Sequence, residues 1–472
     1  MPAGGTTTVV RESGGGAEGA EECERDVIIR QQVSSWRDAK FRNILLLGFA
    51  FMVLFSAFQT CGVIQTIVLK SYFGDDASTL GYTSLAILYA TLGVANWFSP
   101  FIVSLIGPKW GMIAGGLCYS LFIAIFLKPF YGTLYAGSVL VGVGAAVLWT
   151  AQGMFLTVNS DKQTMARNSG LFWALFQSSY VIGNLFFFLY LRGQEDITDG
   201  SRMVIYTVLL SMSVVGVGIM LFFKYPVVGH IAEESVLPVR DGNEPPPSRS
   251  PIQSIVDAFR MLKGKDMLLL SITFAYTGLH QTFFSGVYGT SLGYTTDFGI
   301  IRKSILGLAG VAIGVGQITG GLAFGILGKK TIRYGRDPIV LFGYLIHLIA
   351  FFLIFLNIPG DAPLRESTLQ AYMTPNIYLG IFCCFLLGLG DASFNTQVYS
   401  LLGGIYRTNS ASAFALFKFV QSVCAALAFA YSSLLVLEFQ LLILVVAGLL
   451  GTFCFSFVEW RHAADGVETK EV

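Results

Sequence analysis

Two ionisable side chains interrupt long apolar stretches, where a charge is costly. Asp391 lies near the middle of one stretch, and Lys418 lies about eight residues into the next. A charge at the centre of a bilayer costs at least about 2.5–3.5 kcal/mol on insertion scales. Asp391 could bind a coupling proton or cation in a cavity, with Lys418 tuning its pKa or contacting an anionic group of a solute. Alternatively, the two could form a static ion pair that joins neighbouring helices. The sequence leaves both interpretations open.

Uncharged polar residues recur at helical spacing in the same stretches. Asn395 follows Asp391 by four residues and shares its helix face. Other amides predicted to line a central cavity are Gln59, Gln152, Gln177, Gln281 and Gln397. A single amide is better explained by hydrogen bonding between helices, whereas the set favours a polar cavity. His280 could act as a protonation switch, and His347 is more typical of a satisfied interior histidine.

The sequence offers no pattern for catalysis or for a bound cofactor. It has no P-loop, no metal-ligand spacing and no Ser-His-Asp order. Of seven cysteines, all but Cys23 fall in apolar stretches, which argues against disulfides or zinc. The net charge of +1 does not indicate nucleic acid. We therefore expect no enzyme, cofactor, metal site or nucleic-acid partner.

Composition places these polar residues in a membrane protein. The chain is 54% hydrophobic and only 12% charged, about half the charge of a soluble domain. Apolar runs long enough to cross about 30 Å of hydrocarbon alternate with short charged segments. They predict an all-α protein with twelve transmembrane spans: 43–69, 81–105, 111–127, 133–156, 169–191, 203–223, 267–290, 305–327, 338–357, 376–400, 410–433 and 437–458.

Charge asymmetry predicts the orientation of these spans. Lys and Arg favour the side of the N-terminus by about three to one, so both termini are expected in the cytoplasm. The first apolar run is too long for a cleaved signal. The predicted organisation is a disordered tail (1–42), an N-terminal half (43–224), a linker (225–265), a C-terminal half (266–460) and a cytoplasmic tail (461–472).

The linker contains one amphipathic segment. Ile252, Ile255, Val256, Phe259 and Leu262 are spaced as one helix face, and basic residues flank it. This pattern is typical of a helix lying in the membrane interface. An N-terminal extension of the seventh span is the alternative.

The two halves repeat one another. Asn168-Ser169-Gly170 recurs as Asn409-Ser410-Ala411, and Phe58-Gln59-Thr60 recurs as His280-Gln281-Thr282. With six spans in each half, the repeats have the same membrane orientation, as in the two halves of the major facilitator fold. In this repeat Asp391 corresponds to Ala145, and Lys418 corresponds to Gln177. The two charges are therefore found in the C-terminal half without counterparts in the N-terminal half. The eighth span has glycines at four-residue spacing, which predicts a tight helix crossing or a sliding surface.

Several runs resemble the Unc-ninety-three-like (ion channel regulatory protein) family, and in particular its orphan "major facilitator superfamily domain-containing" animal members. The matching runs are Ala57–Thr60, Leu148–Gly153, Arg167–Ala174, Phe283–Gly289 and Leu387–Asp391 with Asn395–Gln397. The resemblance covers about residues 43–460 and implies a major facilitator fold. It also implies a solute carrier, a channel regulator or a trafficking partner of receptors.

The loop motif that accompanies gating in transporters of this fold is incomplete. Between the second and third spans only Gly107-Pro108-Lys109-Trp110-Gly111 remains, without the Asp-Arg core. Between the eighth and ninth spans, Arg333 and Arg336 preserve part of it. This loss favours a non-transporting regulator, whereas the polar cavity and Asp391 favour a transporter.

Two functions therefore remain as hypotheses. One is a secondary transporter of a small polar solute by alternating access, with a coupling proton or cation. The other is a regulator or trafficking partner of an ion channel or receptor. In either case the protein is expected to lie in the lipid bilayer of the plasma membrane or an endomembrane.

Overall fold

Helices make up nearly all of the structure, a computed structural model that describes residues 18–74, 79–160, 165–194, 197–224, 260–406 and 410–468. The N-terminal half contains α1 (Glu18–Phe73), α2 (Leu80–Ala95), α3 (Ser99–Ile106), α4 (Pro108–Ile125), α5 (Tyr131–Val158), α6 (Met165–Leu191) and α7 (Asp199–Leu221). The C-terminal half begins with α8 (Lys265–Thr282), a π-helical turn (Phe283–Val287), α9 (Tyr288–Tyr294) and a 3-10 helix (Thr296–Arg302). It continues with α10 (Ile305–Tyr334), α11 (Asp337–Asn357), α12 (Ile377–Ile405), α13 (Ser410–Ser432) and α14 (Leu437–Glu468).

The protein is an integral membrane protein with many spanning helices. Ten described helices are long and apolar enough to cross a bilayer, and the bent pair α2 and α3 makes eleven. The seventh predicted span is divided among α8, the π-helical turn and α9 and does not pass this test as one helix. The exact number of twelve spans stays a prediction.

The second predicted span, 81–105, is broken rather than continuous. α2 and α3 meet at an angle of 70°. Pro100 lies in the first turn of α3, where proline lacks the N–H that would continue the preceding helix and favours a new start. Gly107, with φ 78°, then turns the chain into α4, which begins at Pro108.

The packing of helices repeats between the halves. In the first half, α1 packs against α6 and α7, α5 against α2 and α4, and α4 against α7. In the second half, α8 packs correspondingly against α13 and α14, α12 against α10 and α11, and α11 against α14. The contacts between halves also come in a matched pair, α6 with α10 and α2 with α13. This pattern fits the parallel repeat predicted from the sequence.

Glycines of α10 face two different neighbours. An added Cβ at Gly310 or Gly314 would collide with Asn184 or Tyr180 of α6, in the other half. At Gly316 or Gly320 it would collide with α12, in the same half. The predicted tight crossing is therefore two crossings on opposite sides of α10.

One end of the bundle, here called the outer end, carries the α1–α2 and α11–α12 connections and is predicted to face away from the cytoplasm. There the Tyr82 hydroxyl of α2 donates to the Pro363 carbonyl (3.0 Å), joining the halves. Glu366 pairs with Lys303 (2.7 Å) and Arg302 (2.9 Å). Burial raises the pKa of Glu366, but the hydrogen bonds and charges of Lys303 and Arg302 outweigh it and hold the pKa below its ordinary value. These pairs therefore weaken only as acid protonates the carboxylate.

The helices extend into segments predicted as tails. α1 begins at Glu18, so residues 18–42 are helical rather than a disordered tail, and α14 continues to Glu468. Helix is favoured here because each charged segment directly adjoins a long apolar helix, before it in α1 and after it in α14, and only needs to propagate it. Residues 1–17 and most of the linker, including the amphipathic segment before Arg260, lie outside the described residues.

Candidate functional site

Asp391 lies buried where α8, α10 and α12 meet. Only 7% of the residue is exposed. Its Oδ2 accepts a hydrogen bond from Gln317 Nε2 of α10 (3.0 Å), and its Oδ1 accepts one from Asn395 Nδ2 (2.9 Å). His280 Nδ1 of α8 lies 3.7 Å from Oδ1. Among the described residues, no Lys or Arg forms an ion pair with this carboxylate.

Two glycines on α12 make this meeting of helices possible. At Gly388 an added Cβ would lie 2.2 Å from the Ile313 carbonyl oxygen of α10, and at Gly390 it would lie 2.2 Å from His347 Nε2 of α11. Without side chains at these positions, α10 and α11 approach α12 closely on both sides. Asp391 follows directly and therefore reaches Gln317.

Two histidines extend the cluster away from Asp391. The rings of His280 and His347 stack with centroids 3.8 Å apart, and both are almost fully buried. His347 Nε2 can donate to the Leu387 carbonyl (3.3 Å), which leaves Nδ1 to accept from the Tyr276 hydroxyl (2.5 Å). Both nitrogens of His347 thus have partners, as expected for an interior histidine. His280 Nε2 has no hydrogen-bond partner in the described part of the chain.

Lys418 belongs to a separate group of residues. Its Nζ donates to Gln421 Oε1 (2.9 Å), and Gln421 Nε2 donates to Thr277 Oγ1 of α8 (3.2 Å). The predicted static ion pair is wrong: Asp391 and Lys418, both described, form no direct contact, although their charges attract each other at longer range. The reason is the packing, since α12 packs mainly against α10 and α11, whereas α13 packs against α2 and α8.

The predicted cavity glutamines are dispersed. Gln281 donates to the Tyr89 hydroxyl of α2 across the halves (3.3 Å). Gln397 is buried, and among the described residues its side chain donates to its neighbour Thr396 (3.1 Å). Gln152 is buried, and Gln59 and Gln177 are half-buried. Of the predicted residues, the structure therefore brings together Asp391, Asn395 and His280.

Two residues of the site were missed in the sequence. Gln317, the partner of Asp391, lies in the glycine-rich α10, where it is an isolated amide among small and apolar residues. Tyr276 was not distinguished from other apolar-face aromatics. The signal for Gln317 was its polarity inside a spanning helix, whereas Tyr276 gave no signal before its contact with His347 was known.

Aromatic rings connect the Lys418 group to the N-terminal half. Lys418 Nζ lies 5.6 Å from the Tyr399 ring centroid and 4.9 Å from that of Phe417. Tyr399 contacts Trp173 of α6 (centroids 6.0 Å), and Trp173 stacks on Trp149 of α5 (6.1 Å). We call Trp149, Trp173 and Tyr399 the aromatic row. It crosses from one half to the other.

The second arginine of the predicted gating loop is held firmly. Arg336 Nη1 contacts both carboxylate oxygens of Glu459 on α14 (3.1 and 2.9 Å), and its Nε donates to Ser400 Oγ of α12 (2.9 Å). The backbone N–H of Arg336 also donates to Glu459 (3.0 Å). The side chain of Arg333 lies outside the described residues.

A surface cavity of about 490 Å³ lies elsewhere, at the bend between α2 and α3. Ala90, Val94, Phe98 and Val143 are among the residues that line it. It contains no charged side chain, so it does not coincide with the polar cluster.

Comparisons with known proteins agree with this architecture. Residues 75–456 match the family described as ion channel regulatory protein UNC-93. UNC93-like protein MFSD11 of Xenopus tropicalis is 46% identical over 429 residues, covering 89% of this chain and 96% of that protein. Protein unc-93 homolog A of Bos taurus is 27% identical, covering 91% and 96%.

Solved structures show the same fold at low identity. Two crystal structures of the nucleoside transporter NupG match with TM-scores of 0.61 and 0.60, at 15% and 14% identity. Each match covers 88% of this chain and nearly all of NupG. With the family match over most of its length, the chain belongs to the UNC-93 family and has the fold of major facilitator transporters.

Proposed function

We propose that the protein is a secondary transporter of a small polar solute, which it moves between its two halves by alternating access. The observation that carries this proposal is Asp391, a buried carboxylate held by the neutral donors Gln317 and Asn395 rather than by a cation. A carboxylate in this setting can gain and lose a proton or cation without breaking a fixed ion pair.

The arrangement around Asp391 supports a coupling role. His280 Nδ1 lies 3.7 Å from the carboxylate, just beyond hydrogen-bond distance, and its other nitrogen lacks a described partner. A small approach of α8 towards α12 would let the imidazole and the carboxylate share a proton. α10 carries Gln317 and also contacts α6 of the other half. Protonation of Asp391 would therefore change hydrogen bonds on a helix at the boundary between halves. Both termini are proposed to lie in the cytoplasm, and no enzymatic step is proposed.

Purified protein in proteoliposomes tests this function. Vesicles are exposed to a mixture of small metabolites under an inward proton gradient, and accumulated solutes are identified by mass spectrometry. We expect at least one solute to exceed its level in protein-free vesicles. Asp391→Asn, which keeps the size and shape of the side chain but removes its charge, should reduce this accumulation at least about tenfold.

The matched control is Asp297→Asn, which removes an exposed carboxylate of the C-terminal half and should leave accumulation unchanged. Size-exclusion profiles show whether each variant folds. If no solute accumulates above the protein-free level with or without the gradient, the transport proposal fails. If Asp391→Asn accumulates solute normally, Asp391 has no coupling role.

The family description favours a second function, regulation of an ion channel. A regulator would bind a membrane partner through the surface of its helices. It would not need the gating loop of a transporter, so the incomplete loop motif at Gly107–Gly111 would not impair it. Affinity purification from cells should recover such a partner at stoichiometric amounts, and Asp391→Asn should still bind it. Transport without a stoichiometric partner would exclude this function.

A further inference from the structure

Lys418 presents a positive charge that forms no salt bridge with any carboxylate in the part of the chain that the structure describes. It is half-buried on α13, and its Nζ donates to the neutral oxygen of Gln421. An ammonium has three donors, and the one hydrogen bond that Lys418 makes among the described residues, to Gln421, leaves capacity for an anion. The attraction of Asp391 acts only at a distance, and both oxygens of that carboxylate already accept hydrogen bonds.

The aromatic row leads from this charge to the opposite half. Trp173 is 36% exposed although it touches rings of both halves. Tyr399, next to Lys418, is also only half-buried. Large rings left partly uncovered where the halves meet offer faces on which a flat ligand can stack.

Corresponding positions of the repeat carry different kinds of side chain in the N-terminal and C-terminal halves. Lys418 corresponds to Gln177, Asp391 to Ala145 and Asn395 to Trp149. At these three positions the N-terminal half carries no charge and one large aromatic ring, Trp149, whereas the C-terminal half carries two charges and an amide. A ligand that fits both sides has a flat apolar body and a charged end.

The sign of the ligand's charge follows from which of the two protein charges, Asp391 or Lys418, is accessible. Asp391 is 7% exposed and capped by two amides, whereas Lys418 is half-buried and has donors to spare. The available charge is thus the cation. We propose that the partly exposed surface formed by Lys418, Trp173 and Tyr399, where the halves meet, binds an aromatic carboxylate, with the carboxylate on Lys418 and its ring against Trp173 and Tyr399. This names the solute class of the proposed transporter and rests on that function for its physiological meaning.

Binding by the purified full-length protein tests the site without requiring transport. Calorimetric titrations use 2-naphthoate, its uncharged analogue 2-naphthamide, the oppositely charged 2-naphthylmethylamine, and cyclohexanecarboxylate, which keeps the charge but lacks the aromatic ring. We expect 2-naphthoate to bind at least about tenfold more tightly than each of the others, because only it satisfies both the ammonium and the rings.

Variants locate the site. Lys418→Gln should weaken 2-naphthoate roughly 10- to 100-fold, Lys418→Arg should retain much of the affinity, and Trp173→Ala should weaken it about tenfold. Lys128→Gln, the matched control, removes an exposed lysine that also lies over a ring, that of Phe130, and should bind normally. Equal affinity for all four compounds, or unchanged binding in folded Lys418→Gln, would overturn the proposal.

The outcomes separate this site from the proposed function. If the protein accumulates solutes but neither binds 2-naphthoate nor is inhibited by it, the aromatic-carboxylate site is wrong while transport stands. If 2-naphthoate binding depends on Lys418 but no solute accumulates in vesicles, the site stands and transport fails.

Discussion

At the scale of single residues, the two charged clusters in the C-terminal half are built differently. Asp391 is surrounded by neutral donors, whereas Arg336 and Glu459 are joined by paired hydrogen bonds between opposite charges. A charge held by neutral groups can change its protonation at modest cost, and an ion pair with several hydrogen bonds resists change. The first arrangement suits a coupling site, and the second suits a fixed brace at the α10–α11 connection.

The brace predicts a stability effect. Glu459→Gln leaves the half-buried guanidinium of Arg336 without its counter-charge, so we expect the free energy of unfolding to fall by about 1–3 kcal/mol. Thermal and denaturant unfolding in detergent measure this. Arg461→Gln is the control, because Arg461 is 48% exposed in its pair with Asp266 and should change stability by less than about 1 kcal/mol. Equal stability of Glu459→Gln and wild type would contradict the role.

Contacts between site residues could be predicted from the sequence when the two residues lie close together along the chain, and not when they lie far apart. The four-residue spacing of Asp391 and Asn395 is local, and the two do lie together. Gln317 is 74 positions from Asp391, and only the packing of α10 on α12 brings them into contact. The pairing of Asp391 with Lys418 was wrong for the same reason, because helices consecutive in sequence are not the closest neighbours in this fold.

At the scale of helices, glycine positions decide which pairs approach closely. Gly388 lies against the Ile313 carbonyl of α10, while Gly403 on the same helix has open space around its Cα. Both are glycines of α12, so substitution separates the effect of packing from that of helix propensity.

Alanine at these two glycines should act in opposite directions. Gly388→Ala places a methyl group 2.2 Å from a backbone oxygen, which forces α10 and α12 apart and should cost about 1–3 kcal/mol of stability. Gly403→Ala should be neutral or stabilise by up to about 1 kcal/mol, since alanine favours helix. Melting temperatures in one detergent compare the pair. The assignment of this crossing is refuted if Gly388→Ala melts no lower than Gly403→Ala.

Helix type was more predictable than helix continuity. Apolar runs matched ten of the twelve predicted spans to single long apolar helices, because length and hydropathy follow directly from the bilayer. The 70° bend between α2 and α3 and the π-helical turn at Phe283–Val287 were not predicted. Pro100 marks the bend, but a π-helical turn adds one residue to a helix without a distinctive residue type. The helical start at Glu18 was missed because polar composition does not reveal propagation from a neighbouring helix.

At the scale of the whole molecule, the matched contacts α6–α10 and α2–α13 join the halves. At the outer end, backbone comes close to backbone: a Cβ on Gly307 of α10 would lie 2.4 Å from the Asn184 carbonyl oxygen and 2.6 Å from the Phe188 nitrogen of α6. Near the opposite end, Trp173 and Tyr399 meet only through their side chains, with ring centroids 6.0 Å apart, and stay partly exposed. The described conformation is therefore tightly closed at the outer end.

Gly307→Ala should open that end. Because the new methyl group meets backbone that cannot rotate away, the population should shift towards conformers in which the halves separate at the outer end. Spin labels at Asp199 and Arg365, whose side chains are 78% and 70% exposed, report the separation by double electron–electron resonance in a background without reactive cysteines. We expect longer distances in Gly307→Ala than in wild type. Gly321→Ala, on the same helix with open space around it, should keep the wild-type distribution, and an unchanged distribution in folded Gly307→Ala would show that this contact does not hold the outer end closed.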